Sequence, residues 1–262
     1  MSTSHDRLRG KTCVVTGAAG SIGLAIAQHY ARIGAKVALI DSRPGVVDRA
    51  EDLKKAGHEA TGFVVDITRR PAVLDCFSEI LTSIGSAYAL VNCAGLVDQR
   101  PLEEVTPEIL ERVFRVNVYG TLYCIQGVLP AMKKRKEGKI INFSSKSGKT
   151  GSALLIPYSA AKGAVIALTQ ALACEVASYN IKVNCLCPGI TEATGVWSEV
   201  SKGYIHNLNL PEQEVVKQFT EKIPLKRLAR IDDIVDFVDF LTVKGEYCTG
   251  QAFNISGGRE MH

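Results

Sequence analysis

Long hydrophobic runs are missing from this chain of 262 residues. None approaches the roughly 20 apolar residues that a membrane-spanning helix needs. Residues 1–10 have no apolar core and give no secretory signal, so the expected location is the cytoplasm. The 8 cysteines contain no Cys-x-x-Cys pair, and Cys185-Leu186-Cys187 alternates as a strand does. Reduced, buried thiols are expected, not a disulfide framework or a metal cluster. The histidines (His5, His29, His58, His206, His262) have no ligand spacing, so no metal is expected. A net charge of +4 is a small excess and makes no case for nucleic acid or an acidic membrane. Repeats, low-complexity tracts and linkers are absent too.

What is present is an alternation. Short β-rich apolar runs fall at 12–16, 36–40, 60–65, 88–92, 139–143, 182–186 and 252–255. Most are near-continuous Val, Ile, Ala and Leu, as strands buried on both faces are. Helical patterns lie between them at 22–33, 46–56, 72–84, 107–133, 157–179 and 232–241. This pattern predicts a single α/β domain over 1–262, a Rossmann-type doubly wound parallel sheet with helices on both faces. The alternation breaks once, at about 191–223. That stretch is long, polar and holds the sole Trp, Trp197. Its place after a strand suits a substrate lid.

The first strand runs into Gly17-Ala18-Ala19-Gly20-Ser21-Ile22-Gly23 and then a helix. Glycines there let the backbone turn tightly and approach a pyrophosphate at a helix N-terminus. Asp41 closes the second strand, where an acid binds adenosine ribose hydroxyls and repels a 2′-phosphate, which favours NAD. Arg43 complicates this: it either neutralises Asp41 or meets a phosphate. Asp66-Ile67 follows the third strand, and Asp66 reads either as an adenine bracket or as a turn residue. Asn92-Cys93-Ala94-Gly95 follows the fourth, small enough for close approach to a cofactor.

Tyr158 and Lys162 stand four apart, on one helix face. A phenol with its ordinary pKa near ~10 carries protons poorly at neutral pH. A neighbouring ammonium favours the phenolate, making Tyr158 a usable acid/base. Ser145, upstream, offers a hydroxyl to an alcohol or carbonyl oxygen.

The motifs Thr16-Gly17-x-x-x-Ser21-x-Gly23, Asn92-Cys93-Ala94-Gly95, Asn117, Ser145, Tyr158-x-x-x-Lys162 and Pro188-Gly189 together resemble the short-chain dehydrogenase/reductase family, from Lys11 to Gly258. The resemblance implies a catalytic set of Asn117, Ser145, Tyr158 and Lys162. It adds cofactor contacts at Gly17, Gly20, Ser21, Ile22, Gly23, Asp41, Asp66, Ile67, Asn92, Ala94, Gly95, Tyr158, Lys162, Pro188, Gly189, Ile190 and Thr191. Asn117 is implied to interrupt its helix and help hold a water linking Lys162 to solvent. Two positions depart from the pattern: Ser21 replaces a glycine, and Ala193, flanked by Thr191 and Thr194, replaces a threonine.

The runs from Ser144 to Gly151, Pro224 to Arg227 and Tyr247 to Gln251 are similar to the polyol and sorbitol-6-phosphate 2-dehydrogenase branch. They imply a polyhydroxylated substrate oxidised at a secondary alcohol. Ser145, Lys146, Tyr158 and Trp197 are the expected substrate contacts, although Lys146 also reads as a solvated loop cation and Trp197 as an anchor for the lid. The expected protein is an NAD-dependent homotetramer acting on a polar small molecule. Its alternatives are the same chemistry on a sulfonated or other anionic diol or sugar or a 3-oxoacyl thioester, and a non-catalytic cofactor sensor.

Overall fold

The computed structural model describes residues 8–195 and 211–262; Trp197 lies outside them. Its strands are β1 (Thr12–Thr16), β2 (Lys36–Asp41), β3 (Ala60–Val64), β4 (Ala87–Asn92), β5 (Gly138–Phe143), β6 (Ile181–Pro188) and β7 (Ala252–Ile255). They form one seven-stranded sheet in the order β3-β2-β1-β4-β5-β6-β7, every pairing parallel. The helices are α1 (Ser21–Arg32), α2 (Val46–Lys55), α3 (Arg70–Ser83), α4 (Pro107–Phe114), α5 (Thr121–Arg135), α6 (Ser147–Thr150), α7 (Ile156–Val176), α8 (Glu212–Glu221) and α9 (Ile231–Val243).

Both faces of the sheet are covered, which is why the strands read as continuous apolar runs. Cys13, Val15, Leu39, Val91 and Ile141 pack on one side with Ile26, Tyr30, Ile234 and Val238. Val14, Ile40, Leu90 and Ile140 face the other side with Phe77, Cys124, Ile125 and Val128. Successive residues alternate between the two cores, the period of two expected of a strand.

Sequence order reverses between β1 and β4, opening a crevice at their C-terminal ends, where ligands bind in such sheets. A buried polar chain braces the sheet beside it. The Asn92 amide donates to Asn142 Oδ1 at 2.9 Å, and Asn142 donates to Thr169 Oγ1 at 2.9 Å. Thr169 returns its proton to Val165 O at 2.8 Å.

The helix expected over 107–133 is broken. Residues Arg115–Gly120 form a π turn between α4 and α5. The Asn117 side chain donates to Val113 O at 2.9 Å and to Leu96 O at 2.8 Å. A side chain that takes a helix carbonyl competes with the backbone ladder and widens the turn.

Helix α7 corrects another expectation. With the short turn after it, to Tyr179, it is long and apolar enough to cross a bilayer by length and composition. Here it packs on β5 and β6, with Ala161, Lys162, Val165 and Thr169 buried.

Candidate active site

The site is assembled from loops at the C-terminal edge of the sheet. Gly17 has φ +68°, and a Cβ there would sit 2.8 Å from the backbone N and Cα of Ala94. A Cβ on Gly23 would lie 2.4 Å from Gly17 O. The loop after β1 is thus pressed against both the end of β4 and the first turn of α1, a cradle that side chains would fill. Gly20 caps α1 without a side-chain hydrogen bond. Ser21 and Ile22 open the helix, so its N-terminal N–H groups remain for an anionic ligand.

Asp41 is buried at the end of β2. Its Oδ2 accepts from Ala19 N at 3.0 Å, and Oδ1 from Arg43 N at 3.0 Å. The Arg43 guanidinium grips both oxygens, at 3.0 and 3.1 Å. Burial pushes the carboxyl up, but the hydrogen bonds and the charge of Arg43 outweigh it and hold Asp41 below the usual carboxylate range. Of the two roles open to Arg43, the geometry has it neutralising Asp41.

Asp66 accepts from Thr68 N at 2.9 Å and Thr68 Oγ1 at 2.8 Å, the geometry of its turn reading. Ile67 is buried against Gly120, where a Cβ would come within 2.6 Å of it. The Asn92 side chain turns into the polar chain behind the sheet. Ala94 N donates to Thr16 Oγ1 at 3.2 Å. Gly95 is wedged at the centre: a Cβ there would be 3.1 Å from Asn117 Oδ1 and 3.4 Å from Lys162 Nζ.

The first two turns of α7 carry Tyr158 and Lys162; the segment leaving β5 carries Ser145. That segment is held to β6, with Ser144 N donating to Leu186 O at 2.8 Å and Lys146 N to Pro188 O at 3.0 Å. It is held to α7 by Ser144 Oγ donating to Lys162 O at 2.7 Å. Ser145 Oγ accepts from Ser147 N at 3.2 Å. Ser145, Tyr158 and Lys162 line one cavity of about 550 Å³, together with Ile22, Gly95, Lys146, Pro188, Gly189, Ile190 and Thr191. Gly17, Gly20, Ser21, Gly23, Asp41 and Ala94 flank it on the β1–β4 side. Asp66, Ile67, Asn92 and Asn117 do not line it. Asn117 stands directly behind Gly95.

The electrostatics depart from the sequence expectation. Burial drives the Tyr158 phenol up to about 12, opposed by a hydrogen bond with Ser145. Burial also drives Lys162 down to about 8. The ammonium donates to Phe143 O at 2.8 Å and lies 5.5 Å from the Tyr158 ring centroid. Burial desolvates both groups and penalises both charged forms, and in this geometry that outweighs the attraction between them.

Thr191 and Thr194, which flank Ala193, both line the cavity and both are buried. The cavity has further walls that sequence reasoning missed: Leu155 before α7, Gln218, Phe219 and Lys222 from the α8 region, and Arg259 beyond β7. The only available signal was topological. A β7 beside β6 brings the chain end back over the site, and the described end of the polar stretch, from residue 211, forms α8.

Comparison with known proteins agrees with this architecture. The family model for short chain dehydrogenases matches residues 11–204. A sorbitol dehydrogenase of Cereibacter sphaeroides is 36% identical over 257 residues, covering 97% of this chain and 99% of its own. The structure of an NAD⁺-bound xylitol dehydrogenase superposes with a TM-score of 0.90 at 30% identity, covering 96% of this chain and 99% of that one. A variant of the actinorhodin polyketide ketoreductase with NADPH superposes at 0.92 and 30% identity over all of both chains.

Proposed function

The chain belongs to the short chain dehydrogenase family, and from that premise we propose that it interconverts a secondary alcohol and a ketone on a polyhydroxylated small molecule, with NAD as its cofactor. The substrate class is a polyol, sugar or sugar phosphate. The observation that carries this reading is the meeting of Ser145, Tyr158 and Lys162 in one cavity beside a glycine cradle at the switch point of the sheet.

The residues present fit a dinucleotide. The space a Cβ would occupy at Gly17 and Gly23 is already taken by backbone, so the loop keeps the bare, close-approach surface that a pyrophosphate needs. Asp41 would hold the ribose hydroxyls, and its carboxylate keeps the Arg43 guanidinium engaged, so that this cation is not free for a 2′-phosphate. The nicotinamide ring, when bound, supplies the carbon that exchanges hydride with the substrate. The protein contributes alignment and the proton.

In the oxidative direction the Ser145 hydroxyl hydrogen-bonds the alcohol oxygen and fixes it against Tyr158. Tyr158 as phenolate takes the hydroxyl proton and becomes the phenol as the C–H bond yields its hydride; reduction returns both. With its pKa at about 12 the buried phenol stays protonated at neutral pH, so forming the phenolate needs positive charge near Tyr158. The Lys162 ammonium is held at the right depth to supply it, anchored by Phe143 O. Asn117 holds the turn after β4, accepting from Leu96 N at 3.3 Å and donating to Leu96 O at 2.8 Å, and so keeps Gly95 beside that lysine. A homotetramer belongs to the same reading; half-exposed Leu122, Tyr119 and Ile156 offer apolar surface on the helices it would use.

The test is a screen of the purified protein for NAD⁺ reduction over polyols, sugars, their phosphates and sulfonated analogues, repeated with NADP⁺. Turnover of a polyhydroxylated secondary alcohol with preference for NAD⁺ is the expected result. Activity confined to 3-oxoacyl thioesters, or a strong preference for NADP⁺, would overturn it.

A further inference from the structure

The catalytic cavity is lined by four cations, Lys146, Lys162, Lys222 and Arg259, and by no Asp or Glu among the described residues. Lys162 is accounted for by the chemistry. The other three are not, and they come from separate parts of the chain. Lys146 follows β5, Lys222 ends α8 and Arg259 follows β7. The sheet order puts β5, β6 and β7 on the side of the switch point away from β2 and Asp41. The three cations therefore stand at the substrate end of the cavity, apart from the glycine loop that suits a pyrophosphate.

Among the described residues, little compensates them. Arg259 reaches Glu260 at 3.5 Å, and its guanidinium lies over the Phe219 ring at 5.6 Å. Lys146 Nζ makes one long contact, to Gly151 O at 3.4 Å. Lys146 and Lys222 have no carboxylate partner among the described residues. Burial holds the Lys146 ammonium below the ordinary lysine range, and Arg259 and Lys222 add to this while Glu260 opposes it. Cations gathered this way repel one another, and an oxyanion set among them relieves that cost while receiving charge-assisted hydrogen bonds. A guanidinium stacked on an aromatic ring presents its donors as a fixed fork, suited to a phosphate, sulfonate or carboxylate.

Resting on the dehydrogenase reading of the site, we propose that the physiological substrate carries an oxyanion group away from its reacting carbinol, and that Lys146, Lys222 and Arg259 form the seat for that group. The subsite makes the enzyme selective for anionic over neutral polyhydroxylated alcohols.

The experiment uses matched pairs with NAD⁺: sorbitol against sorbitol 6-phosphate, and 1,2-propanediol against 2,3-dihydroxypropane-1-sulfonate. The expected kcat/KM ratio of anionic to neutral member is above roughly tenfold in at least one pair, and it falls by about tenfold or more in Lys222→Gln and in Arg259→Gln. Ratios near one, or ratios untouched by both substitutions, would overturn the subsite while leaving the dehydrogenase reading standing. If no alcohol of either kind is oxidised, the dehydrogenase reading fails, and calorimetric titration of the NADH-loaded protein with inorganic phosphate still decides the subsite. Phosphate binding that weakens in both variants supports it; no binding, or binding equal in all three proteins, rejects it.

Discussion

Lys162→Met removes a cation that folding must strip of water. In the folded protein the ammonium is 3% exposed and its pKa falls from 10.5 to about 8. Between those two values the unfolded chain binds more protons than the folded one, so stability rises with pH. At pH 7 both states are mostly charged, and the shift corresponds to about 3 kcal/mol of stability withheld. By pH 9.5 the folded lysine is neutral, the unfolded one is still mostly charged, and about 2 kcal/mol of that cost has gone. Methionine has similar volume and no proton to lose. It forfeits a hydrogen bond to Phe143 O that is worth about 1.5–3 kcal/mol for a charged donor. The two effects nearly cancel at pH 7, so the variant is expected to match wild type there within about 1 kcal/mol. At pH 9.5 wild type should exceed it by a further ~2 kcal/mol. The Tyr158 phenol titrates above this window and is common to both proteins, so it drops out of the difference. Urea denaturation at pH 7, 8.5 and 9.5 reads the difference directly. Parallel stabilities across that range would mean that the ammonium is solvated, and the argument from burial would fail.

Two other substitutions probe separate parts of the account. Asp41→Ala removes the carboxylate that Arg43 grips and leaves the guanidinium available to a 2′-phosphate. The kcat/KM ratio of NADP⁺ to NAD⁺ should rise by about tenfold or more, and an unchanged ratio would show that Asp41 does not set cofactor choice. Thr169→Val keeps the shape but strands the Asn142 amide, in a chain where Asn92 Oδ1 already lacks a partner. A loss of about 1–3 kcal/mol is expected in urea denaturation, and a neutral substitution would mean that the chain is not a brace.

The seven strands were legible because a strand covered on both faces leaves an apolar run that little else imitates. The observed β1, β2, β3, β4, β5 and β7 lie within a residue of the runs read from the sequence, and β6 runs two residues further. The break at Asn117 was legible only through family resemblance. An asparagine that opens a π turn looks, residue by residue, like one that faces water; its hydrogen bond to Val113 O is a tertiary outcome fixed by Leu96 on the far side. The electrostatics were read least well. Four-residue spacing places Lys162 beside Tyr158, but the balance between their attraction and their desolvation depends on what packs around them: Val97, Val113, Phe114 and Val118 around Tyr158, and the end of β5 at Lys162. Lys222 and Arg259 escaped for the same reason, since only the assembled fold carries them to Lys146.

The central claim is that Tyr158 moves the substrate proton within a site that otherwise holds cofactor without it. Tyr158→Phe tests this most directly, through turnover and NADH affinity measured on the same preparation. The account predicts a fall in kcat of about 10²-fold or more, with an NADH dissociation constant within roughly threefold of wild type. A phenylalanine variant that turns over at the wild-type rate would contradict it.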